Sequence, residues 1–192
     1  MTWAVVGRSE GIPLVRHNVF FSGDYRREFR QLFDESSVPD GPTVYICAQD
    51  RDDQARIAEG SGEGERLFCL VNAPANGDRK QPTSLEIERC ETAMNRTLSL
   101  CGLSISRAAP PVVTTPSDFA RMFPATGGAL YGAASHGWTA PFSRPAARSR
   151  MAGLYLCGGS AHPGAGVPMA AQSGRLAAAA VDVRRPVCHS AP

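Results

Sequence analysis

Near the end of the chain, Gly158-Gly-Ser-Ala-His-Pro-Gly-Ala-Gly166 has the composition of a turn that lets another molecule lie against backbone. An apolar run that reads as a buried strand, Gly153-Leu-Tyr-Leu-Cys157, precedes it, and an Ala-rich segment that reads as a helix, Val167 to Val183, follows. Strand, glycine turn and helix together cradle anions, because the first N–H groups of a helix are unpaired and the macrodipole places about half a positive charge there. Gly158 and Gly159 open the turn, and Gly164 and Gly166 carry no side chain to keep a cofactor away from it. Pro168 suits the first helical turn, where its missing N–H costs nothing, and Ala170, Ala171, Ser173, Gly174 and Ala177 allow close packing on a sheet. The spacing is not G-x-G-x-x-G, so the pattern fits a helix packed closely on a strand as well as it fits a cofactor site. A second glycine cluster, Gly60-Ser-Gly-Glu-Gly64, follows no apolar strand and has glutamates that would repel phosphate, and it reads as a surface loop.

Other chemistry is thin. His162 and His136 are of the residue type that could serve as a general base, yet Ser160 lacks the trailing glycine of a nucleophile elbow. Hydrolase chemistry is therefore disfavoured, and both histidines read more simply as loop residues bonded to backbone. The six cysteines include no C-x-x-C pair, and none of the four histidines stands at ligand spacing to a cysteine, which argues against zinc. Five cysteines sit in apolar or helical contexts such as Val44-Tyr-Ile-Cys47 and are expected to be buried free thiols. Arg144, Arg148 and Arg150 form a basic run suited to phosphate or lipid head groups, or simply to water. Phe20, Phe21, Phe29 and Phe33 line an apolar ligand tunnel or, by default, a core.

The elements that must position these groups follow from periodicity. Trp3–Val6 and Asn18–Phe21 read as two strands joined by a turn. Asp24 opens a helix to Glu35, with Tyr25, Phe29, Leu32 and Phe33 as its buried stripe and Arg26, Arg27, Glu28 and Arg30 facing water. Thr43–Cys47 and Arg66–Val71 are strands on either side of a polar loop. Pro82-Thr83-Ser84 with Glu86 starts a helix that runs to Gly102. Leu103–Arg107 and Pro111–Thr114 are extended, and Thr115 or Ser117 caps a short helix over 118–123. Beyond Pro124 acidic residues vanish until Asp182, which divides the chain into 1–122 and 123–192.

The chain has 192 residues, 43% hydrophobic and 20% charged, the balance of a globular α/β or α+β protein rich in loops. A net charge of +2, with Arg interleaved among Asp and Glu, offers no field for nucleic acid. No run approaches the ~18 apolar residues needed to span a bilayer, and the first residues lack the pattern of a signal peptide. A soluble protein that at most touches a membrane surface is expected.

Taken together, Gly153-Leu-Tyr-Leu-Cys-Gly-Gly-Ser-Ala-His-Pro-Gly-Ala-Gly-Val-Pro-Met169 and Ser173-Gly-Arg-Leu-Ala177 resemble the C-terminal flavin-binding segment of the phytoene desaturase family of FAD-dependent carotenoid desaturases. Arg16-His-Asn-Val-Phe-Phe-Ser22, Asp24-Tyr, and Pro42-Thr-Val-Tyr-Ile-Cys-Ala-Gln-Asp-Arg51 are similar to the hydroxyneurosporene and methoxyneurosporene desaturase branch, and Gly127-Gly-Ala-Leu-Tyr-Gly132 agrees. The resemblance implies the C-terminal fragment of an amine-oxidase-like FAD-binding fold. Residues 1–122 would be part of the carotenoid domain, and 123–192 would return to the FAD-binding domain. Gly158, Gly159, Gly164, Ala165, Gly166, Val167 and Pro168 would approach FAD. The implied reaction is desaturation of an acyclic carotenoid, with hydride passing to the flavin, so no residue here need be a nucleophile. The resemblance also implies a cytoplasmic protein held peripherally on the inner face of the membrane, since a polyene dissolves in lipid. Val19-Phe-Phe21 and the 144–150 loop are its candidate contacts. The G-x-G-x-x-G half expected of this family is absent from the chain. Met1 therefore reads as an internal methionine or a new start. The isolated chain is expected to be inactive, either a desaturase fragment awaiting its N-terminal half or a carotenoid- or partner-binding module without redox turnover.

Overall fold

A computed structural model of the chain describes residues 1–57, 64–132 and 144–182. The chain forms two compact units, Met1–Gly128 and Ala129–Pro192. The first is built on a six-stranded antiparallel sheet of β1 (Thr2–Gly11), β2 (His17–Phe20), β3 (Val44–Ala48), β4 (Glu65–Val71), β5 (Leu103–Arg107) and β6 (Val112–Thr114). Its order is β2-β3-β4-β1-β5, with β6 also on β1. The two N-terminal strands are thus not partners. β1 lies between β4 and the β5/β6 edge, and β2 is an edge strand on β3, because Ile12–Arg16 carries the chain across the sheet instead of turning it back. At Gly7 β1 faces both Glu65 and Arg107, and a Cβ there would overlap the Ser106 carbonyl oxygen, so only glycine fits this crossing.

Alternation along the strands buries Trp3, Val5, Val44, Ile46, Leu67, Cys69 and Val71 on one face. The helix α2 (Ser84–Leu100) covers that face with Cys90, Met94 and Leu98, spaced four apart on one side of the helix. Thr83 and Glu86 close its N-terminus as a reciprocal capping box, and Thr115 with Asp118 does the same for α3 (Pro116–Met122). Burying each such apolar side chain stabilises by roughly 1.5–3 kcal/mol, so this layer is the main source of the unit's stability. A second fastening ties β1, β4 and the segment after β3. The Arg51 guanidinium donates to both carboxylate oxygens of Glu65 (2.6 and 2.9 Å), to Ser9 Oγ (3.0 Å) and to the Leu14 carbonyl (3.2 Å).

The helix α1 (Tyr25–Phe33) begins at Asp24, whose carboxylate accepts from the Arg27 N–H. Arg26, Arg27 and Arg30 face water and Leu32 is buried as its periodicity suggests, but the aromatic members of the stripe and Glu28 exchange places. Glu28 is 1% exposed, held by Thr43 Oγ1 and Asn72 Nδ2, while Phe33 is 63% exposed. Two hydrogen-bonded partners make the inward carboxylate tolerable, and the aromatic stripe faces outward instead.

In the second unit the described residues form turns over 144–166 and one helix, α4 (Val167–Asp182). The expected buried strand over 153–157 does not form: its one ladder contact is an isolated bridge between Arg148 and Tyr155, and Leu154 and Cys157 are exposed. A short apolar run becomes a strand only where a neighbouring backbone pairs along its length. The described residues of this unit supply only 147–149, through the Leu156 N–H to the Ala147 carbonyl (2.9 Å) and the Ser149 N–H to the Leu154 carbonyl (3.3 Å). Among those residues only Ala161, Gly164 and Ser173 are buried. The thiols divide likewise, with Cys69 and Cys90 buried, Cys47 and Cys101 half-buried, and Cys157, expected inside, exposed.

Candidate functional site

The glycine turn is held from both sides by polar contacts. The Gly158 N–H donates to Ser173 Oγ (3.1 Å), tying the start of the turn to the second turn of α4. The Arg144 guanidinium donates to the carbonyls of Gly159 (2.9 Å) and Tyr131 (3.0 Å), and the His162 N–H to that of Pro145 (2.9 Å). Arg144 is thus a backbone clamp, a role its place in a basic run did not suggest. Ser173 had read as a small packing residue, and its hydroxyl contact has no sequence signal beyond the helical position.

Gly158, Gly164 and Gly166 have φ of +116°, +152° and +98°, which side chains rarely adopt. A Cβ on Gly158 or Gly166 would meet nothing within 4 Å, whereas one on Gly159 would lie 3.9 Å from the Ala165 Cα. The backbone at Gly158 and Gly166 is therefore bare and reachable. α4 starts at once, with the Ala170 N–H bonded to the Gly166 carbonyl and with Val167 and Pro168 exposed. All seven sequence-nominated residues lie in this one turn and first helical turn. Gly166, Val167 and Pro168 are exposed, Gly158, Gly159 and Ala165 half-buried and Gly164 buried, and the bare glycine backbone at Gly158 and Gly166 fits the polar part of a flavin nucleotide. His162 is half-buried in the turn. His136 and residues 60–63 of the other glycine cluster lie outside the described residues. Among the described residues no group of three or more His, Cys, Asp or Glu is placed to hold a metal ion, and no helix is long and apolar enough to cross a membrane.

A second candidate surface lies on the first unit. An antiparallel sheet with one face on the core ordinarily turns a polar face outward. Here Arg8, Glu10, Arg66, Ser104 and Ser106 make one end of that face polar, while the part over β2, β3 and the start of β1 is largely apolar. Directly opposed residues share a face, so the register generates two rows on the side away from α2. One row is His17, Cys47, Phe68, Ala4 and Val112, and the other is Val19, Tyr45, Leu70, Thr2 and Thr114. Val6 extends the first along β1 and, like Val19 and Val112, is about half exposed or more. Each row crosses five strands, about 19 Å at ~4.8 Å per spacing. At one end the His17 ring stacks on Tyr45, with Nδ1 2.7 Å from the phenol oxygen. Arg66, on the margin, is bound through its guanidinium by Asp50, whose carboxyl that contact holds below the usual carboxylate range.

Along α1 the rings of Phe21, Tyr25, Phe29 and Phe33 form a chain, with neighbouring centroids 6.5, 4.7 and 5.7 Å apart. Phe21 is 67% exposed. Phe21, Phe29 and Phe33 are thus a surface ridge, neither core nor tunnel, and Phe20 alone of the four packs against the core. Two concavities of about 350 and 470 Å³ flank α2 and contain none of the glycine-turn residues.

The bare glycine turn leading into α4 in one unit, and the mixed α/β architecture of the other with its large antiparallel sheet, are features of nucleotide-cofactor proteins. The model of one such family, the flavin containing amine oxidoreductases, matches residues 18–182, and the chain belongs to that family. Relatives of the chain include carotenoid enzymes. It is 53% identical over 179 residues to the hydroxyneurosporene desaturase of Rubrivivax gelatinosus, covering 93% of this chain and 34% of the relative. It is 41% identical over 180 residues to that of Cereibacter sphaeroides, covering 93% and 35%. It is 31% identical over 165 residues to a 1-hydroxycarotenoid 3,4-desaturase from Flavobacterium, covering 84% and 33%. The chain spans about a third of the length of these relatives.

Proposed function

We propose that this chain is the carotenoid-holding and flavin-contacting C-terminal portion of a FAD-dependent desaturase of acyclic, hydroxylated carotenoids. The observation that carries this reading is the largely apolar part of the outer sheet face, open at His17, Val19, Ala4, Val6 and Val112. A rod-shaped polyene laid along the row from His17 to Val112 meets Cys47, Phe68 and Ala4 in sequence, and covering such a face removes apolar area from water at roughly 25 cal/mol per Å². Residues 1–122 act as part of the carotenoid domain and 123–192 as the return to the FAD-binding domain. Gly158, Gly159, Gly164, Ala165, Gly166, Val167 and Pro168 line the flavin, with Arg144 and Ser173 holding that turn open. FAD, when bound, accepts the hydride lost from the substrate's C–C bond. The chain's own residues bind and orient the substrate and exclude water from it.

The partner this reading requires is an N-terminal half carrying the G-x-G-x-x-G unit for the ADP portion of FAD. The lipid solubility of the substrate favours peripheral docking on the inner face of the cytoplasmic membrane, and the ridge from Phe21 to Phe33, with the exposed Arg26 and Arg30 beside it, has the amphipathic character for it.

Titrating the purified chain with an acyclic hydroxylated carotenoid in detergent micelles tests the reading through the polyene absorption band. A saturable shift near one polyene per chain, abolished by Val6→Lys with Val112→Asp, is expected. No shift, or one the double substitution leaves intact, overturns it. Supplying an N-terminal half in trans should then yield bound FAD and desaturated product.

A further inference from the structure

We infer that His17 is a specificity-determining residue that hydrogen-bonds the terminal hydroxyl of the polyene, an inference that rests on the reading just proposed. The row from His17 to Val112 is apolar along its length and ends at an imidazole on the edge strand β2. A hydrocarbon end group covering that imidazole would strip it of water and return no hydrogen bond, which costs free energy. A hydroxylated end group would restore the bond at the place where a rod lying along the row terminates.

The ring is already oriented. Stacking on Tyr45, at a centroid distance of 6.1 Å and an interplanar angle of 20°, fixes its plane, and the 2.7 Å contact of Nδ1 with the phenol oxygen fixes its rotation. Tyr45 is the residue directly opposite Val19, so it meets His17 as a diagonal cross-strand neighbour on the same face. With Nδ1 engaged, Nε2 is the ring nitrogen that meets the ligand. If Nδ1 accepts the phenol proton, Nε2 carries a hydrogen and donates; if Nδ1 donates, Nε2 accepts. A hydroxyl both donates and accepts, so it satisfies either tautomer. The guanidinium of Arg66, which borders the face, is occupied by Asp50 and does not compete for the ligand. No bond is made or broken at His17; it selects and positions.

The test compares two probes in detergent micelles, an acyclic carotenoid hydrocarbon and its terminally hydroxylated derivative with the same number of conjugated double bonds. Each is titrated into the wild-type chain, His17→Phe and His17→Gln, and read by the polyene absorption shift. One net hydrogen bond corresponds to about a tenfold preference of the wild type for the hydroxylated probe. His17→Phe retains a ring to stack on Tyr45, and it should bind the hydrocarbon as the wild type does while its preference falls to about one. His17→Gln, which keeps a polar terminus, should recover part of the preference. A purely structural His17 would weaken both probes alike and leave their ratio unchanged, and that result overturns the inference. A wild type that binds both probes equally overturns it too, while leaving the sheet face as the polyene site. Binding of neither probe overturns the reading of the face and this inference with it.

Discussion

Replacing Glu65 by Gln removes one charge from a pair that lies almost wholly inside the first unit, where the Arg51 and Glu65 side chains are 11% and 6% exposed. Breaking one side of a buried pair strands the other charge, which typically costs 3–5 kcal/mol. Gln keeps an oxygen that still accepts from Arg51, and the Ser9 and Leu14 contacts persist, so the lower end, about 3 kcal/mol, is expected. For a chain of this size each kcal/mol moves the midpoint by roughly 2–4 °C, so Tm should fall by about 6–12 °C. Circular-dichroism melts of Glu65→Gln, Arg51→Met and the double variant complete the cycle, with a coupling of at least about 2 kcal/mol. The pH dependence has a definite sign. Desolvation by burial raises the Glu65 carboxyl, but hydrogen bonds from Arg51 and Ser9 and the Arg51 charge outweigh it, leaving it net below its ordinary value. A group depressed in the folded state stabilises above its unfolded pKa, here about 4.5, and that contribution is lost as pH falls through the folded value. The gap between wild type and Glu65→Gln should therefore be full at neutral pH and close in acid. A Glu65→Gln chain melting within 2 °C of wild type at pH 7, or a coupling near zero, would refute the assignment of this pair as a fastening of the sheet.

Gly7→Ala, whose new Cβ would overlap the Ser106 carbonyl, should cost at least about 2 kcal/mol in urea unfolding, whereas Gly23→Ala, with open space at its Cβ, should change little. Under native conditions a thiol reagent should modify Cys157 fast and leave Cys69 and Cys90 untouched until unfolding. Burial pushes these two thiols up to about 12 and about 11, and peptide mapping after timed quenching reads the order. Phe21→Ser with Phe33→Ser should leave the melting temperature nearly unchanged, because both rings are exposed, yet reduce co-sedimentation with anionic vesicles; undiminished sedimentation would remove the ridge as a lipid contact.

Where local rules suffice, the fold was legible in the residues. Thr83 with Glu86 and Thr115 with Asp118 announce their helices by chemistry that acts within four residues, and the glycine-dense turn announces α4. What failed to show was pairing at a distance. Nothing near Trp3 says that its strand joins β4, β5 and β6 instead of β2. The stripe on α1 misled because Glu28 finds partners at Thr43 and Asn72, fifteen and forty-four residues away, which periodicity does not register. The run 153–157 is apolar enough for a strand, but apolarity does not supply the paired backbone a strand needs, and its one ladder contact is the Arg148–Tyr155 bridge. At the candidate site, the turn residues were visible as glycines, but Arg144 and Ser173, which hold the turn, act through backbone carbonyl and amide groups and leave no pattern. The apolar sheet face emerges only from register, since Val19, Tyr45, Phe68, Leu70 and Val112 are scattered over ninety-four positions of chain.

The place of β1 in the sheet has a kinetic consequence. The earliest strand of this chain is the one that needs the latest partners, since Thr2 pairs with Leu70 and with Thr114, and Gly11 with Leu103. Closing such loops costs conformational entropy before any contact repays it, and topologies dominated by distant pairings fold slowly. Within this sheet β1 is made before every strand it pairs with: β4 follows it, and β5 and β6 follow only after α2 has been made. Until those strands are made, Trp3 and Val5, at the centre of the later core, lack the sheet partners that bury them, and exposed apolar strand of this kind favours aggregation. A slower passage of the ribosome through α2 lengthens that interval, so the yield of folded chain should depend on translation rate and chaperone supply more than on the stability of the finished sheet.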